Sequence, residues 1–152
     1  MDYLIISDTH RRSFKIKELM NRQVTSVQGV FYLGDGYADA IDLLTDLPCP
    51  VYAVKGNCDW GSDLPAFAFT QENGYNIYCT HGYMENVKYG NDRLKMRAAD
   101  YQAHIALYGH THNPVTFYED GIWFVNPGSI RDGNYAVIDL EKNGIMPVLM
   151  KI

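Results

Sequence analysis

The sequence predicts an α/β fold of two packed β-sheets with helices outside, and three observations carry that reading. In the first third, short apolar runs alternate with helical stripes, the pattern of parallel strands joined by crossover helices. From residue 66 onward strands predominate and pair through compact turns. Five of the apolar runs stop at a segment carrying Asp, Asn or His. In an open α/β sheet such segments sit at the carboxyl ends of strands, where ligands bind.

Taken in order, residues 2–7 form a continuous apolar run, expected of a strand buried on both faces. Residues 13–23 follow as a helix with Phe14, Ile16, Leu19 and Met20 on one stripe. A strand over 27–33 ends at Gly34-Asp35-Gly36, and a helix over 37–47 turns Ala38, Ile41, Leu44 and Leu47 inward. The third strand, 51–55, ends at Gly56-Asn57-Cys58-Asp59. Residues 66–71 and 75–80 make a hairpin about Glu72-Asn73-Gly74, and its second strand runs into His81-Gly82. A helix over 92–103 and a short strand over 105–108 lead to Gly109-His110-Thr111-His112. A hairpin over 115–119 and 122–125, the loop Asn126-Pro127-Gly128-Ser129, and closing strands over 134–140 and 145–152 complete the chain.

At 152 residues this reads as one domain, residues 1–152, with a core of useful size. A net charge of −5 without a basic run argues against binding a nucleic-acid duplex or an anionic membrane surface. The apolar run at 3–6 is too short for a signal segment, and no stretch is long enough to span a bilayer. Three cysteines, Cys49, Cys58 and Cys79, without a C-x-x-C pair fit free thiols in a reducing cytoplasm. An oligomer is compatible with all of this.

The polar strand ends share a chemistry. Asp8 and His10, two apart in extended backbone, point the same way and suit a common metal. Asp35 has two carboxylate oxygens and can ligate two cations at once, and Asn57 offers a neutral amide oxygen. Each motif alone has a plainer reading: Asp8-Thr9-His10 as a helix N-cap cluster, Gly34-Asp35-Gly36 and Gly56-Asn57 as turns. Together they are harder to dismiss. Of five histidines, His10, His81, His110 and His112 all fall at strand ends, whereas His104 sits near a helix C-terminus with an ordinary dipole role.

Asp8-x-His10, Gly34-Asp35, Gly56-Asn57-x-Asp59, His81-Gly82 and Gly109-His110-Thr111-His112 occur in the order of the calcineurin-like metallophosphoesterases. The short length, Asn57-Cys58-Asp59 and Asn126-Pro127-Gly128-Ser129 resemble the small prokaryotic, YfcE-type phosphodiesterase branch. The resemblance implies two packed mixed sheets in a four-layer αββα sandwich. It implies two metal ions, one on Asp8, His10, Asp35 and His112, the other on Asp35, Asn57, His81 and His110. Asp35, Asn57, Cys58, Asp59 and His81 then carry the catalytic roles. The chain departs from the pattern at Arg11, where glycine is common, at Tyr83, where the family often has histidine, and at Cys58, where many members have a catalytic histidine. The Asp-Arg-Gly stretch of protein phosphatases is absent, since Gly36-Tyr37-Ala38 stands there.

The expected reaction is hydrolysis of a phosphodiester by a hydroxide bridging two metals. Two divalent cations are balanced by Asp8, Asp35, one hydroxide and one diester anion; a monoester dianion leaves one negative charge in excess, unless Arg11 or Arg12 reaches in. Mixed imidazole, carboxylate and amide donors suit Mn²⁺, Fe²⁺, Zn²⁺ or Ni²⁺, and manganese is the expected ion. The partner is a small phosphodiester, with Arg11 and Tyr83 as candidate contacts. Arg11 and Arg12 have the plainer reading of a solvated surface pair, and Trp60, Tyr83 and Tyr89 offer stacking faces whose plainer reading, surface or core packing, is the favoured one. The competing readings are a phosphomonoesterase and a non-catalytic scaffold, since a retromer subunit shares this fold.

Overall fold

The computed structural model describes residues 1–10, 13–23, 26–36, 45 and 47–152. Its strands form two five-stranded mixed sheets. The first has the order β10-β9-β1-β2-β3, built from β1 (Asp2–Ile6), β2 (Gly29–Tyr32), β3 (Val51–Ala53), β9 (Asn134–Glu141) and β10 (Gly144–Lys151). The second has the order β4-β5-β6-β8-β7, built from β4 (Phe67–Glu72), β5 (Tyr75–Thr80), β6 (Ile105–Leu107), β7 (Val115–Glu119) and β8 (Ile122–Asn126). Helix α1 (Ser13–Gln23) lies on the first sheet and α2 (Asp92–Asp100) on the second.

The unbroken apolar run of β1 has a direct cause: both of its faces are covered. Tyr3 and Ile5 enter the core between the sheets, with Phe31, Leu33, Ile77, Cys79, Ile105 and Leu107. Leu4 and Ile6 point the other way, under Ile16 and Leu19 of α1. The second sheet repeats the plan, with Tyr78, Ala106 and Phe124 packed beneath Leu94 and Ala98 of α2. Three apolar layers thus separate four layers of secondary structure. Pro147 is tolerated within β10 because that strand is an edge, where a missing N–H costs no ladder bond.

Each sheet has three consecutive parallel strands, β1-β2-β3 and β5-β6-β8; β9 and β10 add antiparallel on the β1 side of the first, and β4 and β7 flank the second. The carboxyl ends of both parallel sets open on one crevice. At the far end the sheets are tied by polar contacts. Glu72 accepts from Tyr3 Oη at 3.1 Å and from Tyr52 Oη, and Asn73 Nδ2 donates to the Leu140 carbonyl at 2.6 Å. The turns Asn73-Gly74 and Asp120-Gly121 have positive φ at both residues, as two-residue hairpins require.

Several expectations shift. The strands expected over 27–33 and 51–55 are shorter, Gly29–Tyr32 and Val51–Ala53, although the Leu33 and Val54 N–H groups still donate to the Ile6 carbonyl at 2.9 Å and the Tyr32 carbonyl at 3.0 Å. The helix over 37–47 falls largely on positions outside the described residues, as do Arg11 and Arg12. The helix expected over 92–103 ends at Asp100, so His104 is no helix-terminal residue. Its Nδ1 instead accepts from the Asn76 N–H at 2.9 Å, and its backbone extends the β5–β6–β8 ladder. No described helix is long and apolar enough to cross a membrane.

Leu107 lies fully buried on the central strand of the second sheet, in the layer both sheets share. Leu107→Ala should lower unfolding stability by about 2–5 kcal/mol, read from denaturant titration. A loss below 1 kcal/mol would show that the inter-sheet layer is not the main core.

Candidate metal centre

Asp8 follows β1 directly and is completely buried. Its Oδ2 accepts from Ser7 Oγ at 2.6 Å and from the His110 N–H at 3.2 Å. Among the described residues its Oδ1 has no hydrogen-bond partner. That atom faces Nε2 of His112 at 3.4 Å, of His10 at 3.6 Å and of His81 at 3.9 Å. A buried carboxylate oxygen left without a donor costs free energy unless something positive stands before it.

Asp35, after β2, divides its oxygens in a complementary way. Oδ1 accepts from the Cys58 N–H at 2.8 Å. Oδ2 stands 3.2 Å from His81 Nε2 and 3.9 Å from His10 Nε2, between the two halves of the cluster. His81 is oriented by its other nitrogen, since Nδ1–H donates to the Leu33 carbonyl at 2.7 Å. Its Nε2 therefore faces Asp35 Oδ2, Asn57 Oδ1 at 3.1 Å and His110 Nδ1 at 3.2 Å together. One N–H cannot serve three acceptors in three directions; a multivalent cation can. On the other side His10 Nε2 and His112 Nε2 meet at 3.0 Å. Among the described residues three groups have ligand atoms close enough for one ion: Asp8, His10 and His112; Asp35, His81 and His110; and His10, Asp35 and Cys58.

The electrostatics follow. Burial opposes ionisation of Asp8, but His10 and His112 outweigh it and hold the carboxyl well below the usual range. Burial likewise opposes charge on His81, and the Asp35 and Asp8 carboxylates reverse that and raise its pKa. His110 goes the opposite way: burial and the neighbouring His81 bring it down to about 4, leaving a neutral imidazole suited to ligation.

The backbone is bent to this purpose. Asp8, His10, Asp35, His110 and His112 all have φ between 45° and 71°, the left-handed region that non-glycine residues rarely adopt. Each costs about 1–3 kcal/mol, and such strain collects where side chains must converge. The glycines permit close approach: a Cβ on Gly56 would fall on Asp35 Oδ1, and one on Gly109 would strike Ser7 Oγ.

All seven ligand candidates are therefore brought together. Cys58 is exposed at the rim, with Asn57 Nδ2 donating to its Sγ at 3.7 Å. Tyr83 packs its ring edge-on against His110, centroids 5.7 Å apart. Asp59 is placed differently from the reacting groups. Its carboxylate accepts three backbone N–H groups, from Asp35, Gly36 and Gly56, each at 2.8 Å, and so locks the β2 and β3 loops together. Sequence reasoning missed two supports. Ser129 Oγ donates to the Asp8 carbonyl at 2.7 Å, and Asn126 Nδ2 reaches the Gly109 carbonyl at 3.2 Å and Thr111 Oγ1 at 2.9 Å. Their signal was the Asn126-Pro127-Gly128-Ser129 loop itself, polar yet buried at both ends.

Fold and site together define a two-sheet α/β sandwich with an Asp/His/Asn cluster at its strand ends that is a candidate metal site. The chain belongs to the calcineurin-like phosphoesterase superfamily, whose domain model matches residues 1–143. It is 29% identical over 151 residues to the probable metallophosphoesterase YsnB of Bacillus subtilis, covering 94% of this chain and 86% of that one. It is 32% identical over 130 residues to the phosphodiesterase YfcE of Escherichia coli K12, covering 77% and 67%. A crystal structure of a predicted phosphoesterase of Streptococcus pneumoniae TIGR4 superposes with a TM-score of 0.86 at 29% identity, covering 99% and 88%. Vps29 of Entamoeba histolytica shares the fold at 21% identity and a TM-score of 0.82, covering 100% and 99%.

Asp59→Ala should lower the melting temperature and weaken divalent-ion affinity about 10–100-fold, the scale of losing an outer support, read by thermal denaturation and metal titration. Unchanged stability and affinity with lost turnover would instead make Asp59 a reacting group.

Proposed function

We propose that this chain is a phosphodiesterase working with two divalent transition-metal ions. Asp8, His10 and His112 hold one, Asn57, His81 and His110 the other, and Asp35 serves both. Mn²⁺ is the expected metal, and Fe²⁺, Zn²⁺ and Ni²⁺ suit the same donors. The observation that carries this reading is the unpartnered, buried Asp8 Oδ1 among three imidazole nitrogens. Such ions, when bound, supply a water of near-neutral pKa as nucleophile and positive charge against the phosphate oxygens.

The protein's part is positioning. The Leu33 carbonyl fixes the tautomer of His81, and the Cys58 N–H holds one oxygen of Asp35 while the other stays turned to the centre. Cys58 presents a thiol at the mouth, a weak proton donor, so substrates with stable leaving groups suit this site best. The formal charges favour a diester over a monoester. The scaffold reading finds less support, because a partner-binding module needs none of these donors and all seven stand assembled. Free thiols at Cys49, Cys58 and Cys79 agree with a cytoplasmic setting.

The test is hydrolysis of bis(4-nitrophenyl) phosphate against 4-nitrophenyl phosphate by Mn²⁺-loaded protein. The diester should have the higher kcat/KM by about tenfold or more, the size of one unbalanced charge at a few Å. Chelation should abolish the activity and Mn²⁺ restore it. A faster monoester would make the chain a phosphomonoesterase, and no hydrolysis with metal bound would favour the scaffold.

A further inference from the structure

Beside the centre a groove of ≈ 290 Å³ leads outward from Asn57 and His81. The segment after β3 forms one wall with Lys55 and Trp60, and the segment after β5 forms the other with Tyr83 and Met84. Trp60 is 91% exposed, Tyr83 56% and Met84 52%, a concentration of bare apolar surface next to a polar site.

Both walls are braced. The buried Glu85 carboxylate accepts from Tyr78 Oη at 2.8 Å and Thr80 Oγ1 at 3.0 Å, anchoring the segment that carries Tyr83 and Met84. The Val87 N–H closes back on the Gly82 carbonyl at 3.2 Å, and His110 supports the Tyr83 ring. Opposite, the Lys55 N–H is tied to the Pro65 carbonyl at 2.9 Å, and Asp59 clamps the turn leading to Trp60. The segments that carry these side chains are thus held in place, and the Tyr83 ring rests on His110, while the Trp60 ring is left bare.

We propose that this groove receives a planar aromatic ring carried by the substrate phosphodiester, with the ring stacked on Trp60 and the phosphate at the metal centre. This rests on the phosphate recognition proposed above. Exposed ring faces gain most from a flat π partner, and stacking does not require base-specific donors. The volume lies near the lower limit of small-ligand sites, enough for one ring and a sugar. Lys55 adds a cation suited to an anionic ligand, while the net charge of −5 disfavours a polymeric nucleic acid.

The test uses Mn²⁺-loaded protein titrated with adenosine 5′-monophosphate, phenyl phosphate and ribose 5-phosphate, read by tryptophan fluorescence and calorimetry. Ligands with a ring should bind more tightly than ribose 5-phosphate. Trp60→Ala should weaken the ring-bearing ligands about 5- to 100-fold and leave ribose 5-phosphate within about twofold, as for other exposed positions. Trp60→Phe should restore most of the difference. Tight binding of the nucleotide alone identifies a nucleobase; tight binding of both identifies any aryl ring. Equal affinity for all three ligands, or equal weakening of all three in Trp60→Ala, overturns the proposal. So does a Trp60 shielded from a collisional quencher by self-association. Ring-selective binding without diester hydrolysis would keep the groove and sink the phosphodiesterase. Hydrolysis with ring-indifferent binding would do the reverse.

Discussion

The centre is organised by one electrostatic constraint: a fully buried carboxylate oxygen, Asp8 Oδ1, is aimed at three imidazole nitrogens and accepts no hydrogen bond among the described residues. Around it Asp35 Oδ2, Asn57 Oδ1 and His110 Nδ1 all converge on His81 Nε2 at 3.1–3.2 Å. One imidazole N–H cannot satisfy them all, so without a cation the arrangement leaves acceptors unpaired. The protein nevertheless spends five left-handed residues to create it, at a cost of about 1–3 kcal/mol each.

The rest of the fold makes that arrangement affordable. Strand ends from two separate sheets meet because the two parallel sets point their carboxyl termini at the same crevice. The shared apolar layer holds the sheets face to face, and Glu72, Tyr3 and Tyr52 tie them at the far end. Nearer the centre the contacts become backbone ones. Asp59 gathers three N–H groups from two loops, and Ser129 holds the Asp8 carbonyl from the opposite side of the chain. Gly56 and Gly109 are where these loops come closest, and only the absence of a side chain allows it.

Much of this was legible in the sequence. The strands ending near Asp8, Asp35 and His110 could be read from apolar runs, because both of their faces are buried and no polar alternation interrupts them; those ending near Asn57 and His81 are only partly buried but keep short apolar stretches. The crevice followed from the rule on carboxyl ends. What could not be read was the use of backbone. Asp59 has the same letters as a reacting carboxylate, yet its oxygens are consumed by N–H groups whose positions depend on loop geometry. His104 looked like a helix terminus because the apolar stripe of α2 runs past the point where its hydrogen bonding stops. The positive φ values of five ligand candidates leave only a faint trace in residue type: Asp and His are enriched in that region but mostly occupy others.

The central claim is that Asp35 joins two ion sites into one. Metal-to-protein stoichiometry, measured by elemental analysis of dialysed, Mn²⁺-loaded protein, addresses it most directly. The account predicts two ions per chain for the native sequence, loss of the pair in Asp35→Asn, and retention of one ion in Asn57→Ala. A native protein that saturates at one ion, or an Asp35→Asn variant that still holds two, would contradict it.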